Sequence, residues 1–133
     1  MIHRLAVIIV GVALACSVGT KDKNFPPAHE PGGATVQIRY GRASLRLAGE
    51  LLAVQEDGLL GRTGDTVWLA PNQVVRRAEI RTRGMRAAFS GRLQGPTRER
   101  FRLLSRFPQG VTPEVLRQVL TAYGRDSVQV LPE

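Results

Sequence analysis

The chain has 133 residues, with 19 basic and 11 acidic side chains and a formal net charge of +8 at neutral pH. That length supports one domain with a modest core, and the basic excess favours an anionic partner. One cysteine excludes an internal disulfide, and the sequence carries neither a Gly-rich phosphate loop nor a cluster of metal ligands, so no cofactor is predicted.

An apolar run begins the chain and ends at its only cysteine. Met1–Arg4 make a short basic start, and Leu5–Ala15 are apolar or small. This is the layout of a secretory signal peptide. A helix of this length rises only about 16 Å, too little to cross a hydrocarbon core of roughly 30 Å. Residues 1–15 are therefore predicted to be an export signal rather than a transmembrane helix.

The four residues Ala13-Leu14-Ala15-Cys16 resemble the lipobox of bacterial lipoproteins. The resemblance implies cleavage before Cys16, lipidation of its thiol and attachment to a membrane. The same residues satisfy the small-x-small rule of ordinary signal peptidase, so an unlipidated product cut at the same bond is the alternative. Lipid is favoured, because acylation removes an unpaired thiol from an oxidising compartment. By resemblance to other lipoproteins, Ser17 after the cysteine favours the periplasmic face of the outer membrane.

Three further segments are predicted after the signal. Residues 16–34 are polar, rich in proline and glycine and without periodicity, which predicts a flexible tether that begins at the lipidated cysteine. Residues 35–95 are predicted to form a small β-barrel. Residues 96–133 are predicted to form a helical segment that packs on the barrel.

Five short strands are predicted in the barrel segment. Their ranges are 36–40, 45–55, 59–60, 66–70 and 74–81, with turns at 56–58 and 63–65. Gly49 lies inside the second strand, and a glycine there commonly marks a bulge or bend, which would let one strand join two sheets. Trp68, the only tryptophan, is predicted to lie in the core or at the barrel rim. Short strands with tight turns are typical of a small barrel.

The segment Leu45–Leu60 and the strands after it resemble the small barrels of the Sm-like and SH3-like type. The resemblance implies a mainly β fold with a five-stranded barrel. Sm-like proteins that bind RNA carry an Asn after the acidic turn and an Arg-Gly pair in the last strands. Here Gly58-Leu59-Leu60 and Arg81-Thr82 occupy those places. These departures, and export, argue against nucleic acid, and an Sm-like nucleic-acid binder that stays in the cytoplasm is kept as the alternative.

The last third of the chain is predicted to be largely helical. Residues 85–106 could form either a strand or a helix. In the helical interpretation, Thr97 is the N-cap of a helix that runs through Arg106. A second helix is predicted to begin at Thr112-Pro113-Glu114 and to end at Gly124, because the capping hydroxyl, the proline and the terminal glycine suit those positions. Residues 127–131 are predicted to add an edge strand.

A non-catalytic binding or scaffolding role follows from these residues. The folded region has no cysteine or histidine, and its acids are scattered. An envelope hydrolase with unidentified acidic residues is the second alternative. Arginines that cluster in sequence are the predicted contacts with an anionic component of the envelope, and they are Arg76, Arg77, Arg98, Arg102 and Arg106. The sequence does not choose an oligomeric state.

Overall fold

One seven-stranded sheet and two helices make up the part of the chain that the computed structural model describes, residues 32–82 and 84–133. The predicted signal, Cys16 and most of the predicted tether lie outside these residues. The strands are β1 (Thr35–Tyr40), β2 (Leu45–Val54), β3 (Gly58–Thr63), β4 (Thr66–Pro71), β5 (Val75–Thr82), β6 (Met85–Ser90) and β7 (Gln129–Val130). The helices are α1 (Gly95–Leu104) and α2 (Pro113–Ala122).

The strands lie side by side in the order β6-β5-β1-β2-β3-β4-β7. All pairs are antiparallel except β4 and β7, which run parallel. The fold is therefore mainly β, as the sequence predicted. The sheet has seven strands. Five were expected in the barrel segment and an edge strand at 127–131, where β7 pairs with β4, and the additional strand β6 pairs with β5. Among the described residues, the pairings leave β6 and β7 as open edges.

Strand β2 joins the two halves of the sheet. Its first part, Leu45–Glu50, pairs with β1, and its second part, Glu50–Val54, pairs with β3. Gly49 lies where these parts meet, and a Cβ there would overlap the carbonyl oxygen of Arg62 and the hydroxyl of Thr63. The glycine is therefore required for close approach of β3. Strand β2 was expected to join two sheets, but all seven strands form one sheet, and the register shift of β2 against β3 lies between Leu51 and Ala53.

The main core lies on the inner face of the sheet. It contains side chains from β1 to β6 together with Phe101 and Leu104 of α1. Trp68 is 1% exposed and belongs to this core, as the sequence predicted. Phe89 of β6 packs edge-on against Phe101, with 5.2 Å between ring centroids. Because β1 and β4 contribute to the same core from separate halves, the sheet curves around it.

A smaller core lies between the outer face of β2–β4 and helix α2. It is built on Leu52, Leu60 and Val67 of the strands and on Val119 and Leu120 of α2. The start of α2 is as predicted, because the Thr112 hydroxyl accepts a hydrogen bond from the Val115 amide at 3.3 Å. Gly124 follows the helix with a φ of 67°, a left-handed conformation that suits a helix end.

Helix α1 differs from the prediction at both ends. It begins at Gly95, with Gln94 rather than Thr97 at the N-cap, since Pro96 provides the fixed φ that suits a first turn. It ends at Leu104, where the Ser105 hydroxyl donates to the Arg102 carbonyl at 2.6 Å. Arg106 is consequently outside the helix. Neither helix described here has the length and apolar character needed to cross a bilayer.

The end of the predicted tether is bound to the domain. The Gly33 amide donates to the Glu50 carboxylate at 2.6 Å, and the Ala34 amide donates to the Leu104 carbonyl at 2.9 Å. A Cβ at residue 33 would overlap the Leu51 carbonyl oxygen and the Arg106 nitrogen. The folded domain therefore extends back to residue 33, two residues before the predicted boundary.

Candidate functional site

The arginines of α1 engage groups within the domain. Arg98 donates to the Gln55 carbonyl at 3.4 Å. Arg102 donates to the Glu99 carboxylate at 2.7 Å and to the Pro108 carbonyl at 3.0 Å, and its side chain is 14% exposed. These two predicted contacts stabilise the packing of the helix and the loop that follows it.

Arg106 belongs to a different group of side chains. Its guanidinium lies 3.7 Å from the Glu50 carboxylate and donates to the Tyr123 hydroxyl at 3.3 Å. Arg62 also donates to Glu50, at 3.1 Å, and lies over the Tyr123 ring at 4.6 Å from its centroid. The group therefore joins β2, β3 and the end of α2. The three arginines that the sequence aligned on one helix face do not form one surface.

Arg76 and Arg77 are both exposed, although neighbours in a strand normally face opposite ways. The pairing of β5 with β1 explains this arrangement. Arg77 lies opposite Arg39 and Val75 lies opposite Tyr40, so Arg76 is the extra residue of a β-bulge. Arg76 donates to the Gly41 carbonyl at 3.1 Å, and Arg77 donates to the Ser90 hydroxyl at 3.2 Å.

Three arginines face one another across the outer face of the sheet. Arg46 of β2 lies opposite Arg39 of β1, and Arg39 lies opposite Arg77 of β5. We call these three residues the arginine row. Neighbouring strands are about 4.8 Å apart, so the row spans about 10 Å. Like charges directly opposite in an antiparallel pair destabilise it, which makes the row unfavourable unless an anion is present.

Glu79 is the acid beside the row, and three arginines share it. Its carboxylate accepts hydrogen bonds from Arg81 at 2.6 Å, from Arg86 at 2.9 Å and from Arg77 at 3.3 Å. The hydrogen bond from Arg86 lowers the pKa of Glu79 most, Arg81 adds to this effect, and desolvation opposes it. Glu79 therefore remains ionised. Its single negative charge is shared by three arginines, so most of their positive charge is not neutralised.

Arg39 and Arg46 have no neutralising partner within residues 32–82 and 84–133. Neither side chain forms a hydrogen bond or ion pair with another residue of that part of the chain. Both residues are exposed. The row therefore presents two free guanidinium groups side by side, and a guanidinium fork matches the geometry of phosphate or carboxylate oxygens.

An open cavity of about 510 Å³ lies along the arginine row. Its lining includes Gln37, Arg39, Arg46, Ala48, Arg77 and Glu79. The next layer of the sheet consists of Ala48, Gln37 and Glu79, and of these only Ala48 has a small side chain. The cavity is of the size that holds small organic groups.

Sequence reasoning missed Arg39 and Arg46 as contact residues, although the signal for their orientation was present. Buried Val36 and Ile38 alternate with exposed Gln37 and Arg39, which places Arg39 outward. The alternation gives the face on which a side chain lies. It does not give the strand that lies next to it, so the meeting of three arginines depends on a pairing that local sequence does not contain.

The acids of the domain occupy several separate environments. Glu50 is bound to arginines and to the Gly33 amide, and Glu79 is bound to arginines. Glu56 and Asp57 are exposed in the turn between β2 and β3, and Asp65 is exposed in the next turn. Within the described residues, no three His, Cys, Asp or Glu side chains are grouped so as to hold a metal ion.

No protein-family model, curated protein or solved structure matches this chain. A function must therefore be inferred from the charge and geometry of its own residues. The arginine row places two exposed arginines without an acidic partner in the described residues directly opposite each other.

Proposed function

We propose that this protein is an exported, lipid-anchored envelope protein that acts as a non-catalytic binding module for an anionic partner. The observation that supports it is the arginine row, in which Arg39 and Arg46 lie exposed and opposite each other without an acidic partner in the described residues. Lipid at Cys16 would hold the domain at the periplasmic face of the outer membrane, and the tether would give it reach.

The row replaces most of the contact residues that sequence clustering suggested. Arg77 remains in the proposed contact surface, and Arg76 lies beside it at the bulge. Arg98, Arg102 and Arg106 are assigned to internal contacts, since each binds a carbonyl, a carboxylate or a hydroxyl of the domain.

We assign the first five strands to a small barrel of the Sm-like or SH3-like type. Two features support this assignment. These strands follow one another in the sheet as β5-β1-β2-β3-β4, and the two ends of that series share one core. The edge strands β6 and β7 would then be additions to the barrel.

Anchoring is tested by the intact mass of the membrane-extracted protein beside that of a Cys16→Ser variant. We expect a mature amino terminus at Cys16 with acyl mass that the variant lacks. An unlipidated product cut at the same bond would contradict anchoring and indicate a soluble secreted domain.

Anion binding is tested by titrating the protein with inorganic polyphosphate between about 50 mM and about 300 mM salt. We expect affinity to fall with salt, and to fall at low salt in the Arg39→Gln/Arg46→Gln variant. The matched control is Arg117→Gln/Arg125→Gln, which removes the same charge from exposed positions on and after α2. Equal affinities of the two variants would show that the row is not the binding surface.

An Sm-like nucleic-acid binder is the second candidate, and the strand order supports it. That function requires the domain to remain in the cytoplasm. A periplasmic reporter fused to the carboxyl terminus decides between the two, because activity of the reporter means export. An inactive reporter together with an uncut chain would favour the nucleic-acid function.

A further inference from the structure

The arginine row suits an anion that carries phosphate groups on a surface. Arg46, Arg39 and Arg77 are neighbours across three strands, so their guanidinium groups offer paired donors over about 10 Å. A single small carboxylate would engage only part of such a row. Several phosphates at close spacing would engage all of it and remove the repulsion between Arg39 and Arg46.

Further arginines on the same outer face extend the positive surface along the sheet. Arg81 of β5 lies opposite Arg86 of β6, and both bind Glu79. The face therefore carries five arginines and two glutamates on β1, β2, β5 and β6, because Glu50 lies at its far end, opposite Thr35. The layer between them is open, because it contains Ala48 and Ala88 at its two ends. Between these alanines lie Gln37 and Glu79, and Arg81 and Arg86 neutralise part of the charge of Glu79.

The chain enters the domain at residue 33, beside Glu50 and Arg106, and continues into β1. Thr35 and Arg39 are both exposed on β1, and four residues of strand separate them by about 14 Å. The predicted linker from Cys16 to residue 32 has 17 residues, which gives a flexible chain a root-mean-square length of about 23 Å. A domain anchored through Cys16 can therefore bring the row to the bilayer that holds the anchor.

From this geometry we infer that the outer face of β6-β5-β1-β2 binds the phosphate headgroups of anionic phospholipids, with Arg39 and Arg46 as principal contacts. The inference rests on the proposed anion-binding function and names its ligand. The domain would lie against its own membrane through the arginine row. The bilayer is then both the anchor and the binding partner.

The test measures partitioning of the full chain onto vesicles. All proteins carry Cys16→Ser, so that no acyl chain contributes. Vesicles of pure phosphatidylcholine are compared with vesicles that also contain phosphatidylglycerol, and the readout is the ratio of the two partition coefficients. Any apolar contribution of residues 1–15 is present with both vesicle types and cancels in the ratio.

We expect the ratio to fall about 30-fold in Arg39→Gln/Arg46→Gln, since each basic side chain near an anionic surface strengthens binding about fivefold. Arg117→Gln/Arg125→Gln should retain most of the ratio. Arg39→Lys/Arg46→Lys, which keeps the charge, should retain more of it than the glutamine pair does. Circular dichroism of each variant verifies the fold.

Two results would overturn the inference in distinguishable ways. If the ratio is the same in both glutamine pairs while polyphosphate affinity falls only in the row variant, the ligand is not phospholipid and the anion-binding function stands. If neither measurement separates the two pairs, the arginine row binds no anion and both proposals are wrong.

Discussion

Gly61 is the position at which one added methyl group should perturb the core most directly. It lies opposite Trp68 in the pairing of β3 with β4, and a Cβ at residue 61 would overlap Cζ2 and Cη2 of the indole. The ring is 1% exposed and its Nε1 donates to the Thr63 hydroxyl at 3.1 Å. Gly61→Ala therefore forces the ring to move within a packed core.

The size of the effect follows from two opposing contributions. Overpacking of this kind costs up to about 3 kcal/mol, because the ring must leave its packed position and strain its hydrogen bond. Replacing a strand glycine by alanine returns about 0.5–1 kcal/mol of backbone entropy. The net loss of about 2 kcal/mol corresponds to a fall of about 8–16 °C in melting temperature for a domain of this size.

Thermal unfolding followed by circular dichroism measures this loss, and fluorescence reports on the site itself because Trp68 is the only tryptophan. Gly64→Asn is the control in the adjoining turn, since residue 64 has a φ of 58° and open space, and asparagine tolerates that conformation. Gly61→Ala/Trp68→Leu should lose less than the sum of its single changes. An unchanged melting temperature and emission spectrum for Gly61→Ala would refute the reasoning.

Three further changes test other parts of the domain by denaturant unfolding. Arginine hydrogen bonds lower the pKa of Glu79 below 4.5, so ionised Glu79 stabilises the fold above that pH and this stabilisation is lost as the pH falls. Glu79→Gln should therefore reduce the dependence of the unfolding free energy on pH in the acid range. An unchanged dependence would contradict this. Thr112→Ala should cost about 1 kcal/mol by removing the cap of α2, whereas Thr112→Ser should retain it. Glu50→Gln should cost about 1–3 kcal/mol, because partly buried Arg62 loses its carboxylate partner, whereas exposed Glu56→Gln should be neutral. Equal losses in the two glutamine variants would show that the Glu50 group is not stabilising.

The features predicted correctly from sequence are those with a local cause. Strands β1 to β5 follow from alternation and turn residues, and the start of α2 follows from the hydroxyl, proline and acid at residues 112–114. The sequence did not distinguish strand from helix for the residues of β6, although Met85 and Phe89 point towards the core. One of the residues of β6 that faces the core is the small Ala87, so the alternation of apolar and polar residues is weak. The strand forms because it pairs with β5.

The ends of α1 and the arginine row were not predicted, for different reasons. Thr97 and Pro96 both carry helix-start signals, and the proline determined the boundary. The alternation of arginine with apolar residues at 100–103 also suited a strand, and packing of Phe101 against β6 favours the helix. Predicting the arginine row would require the registers of two strand pairs. One of these pairs brings together residues that are 38 positions apart in the sequence.

The two-residue strand β7 has a consequence for aggregation. It lies along β4, and the Leu131 amide that follows it donates to the Leu69 carbonyl at 2.9 Å, with the Leu131 side chain buried. Without this segment, β4 would be a strand edge whose unpaired amides and carbonyls can template association with another chain. Loss of residues 129–133 would expose this edge of β4, and we expect the truncated chain to self-associate through it, which sedimentation would detect.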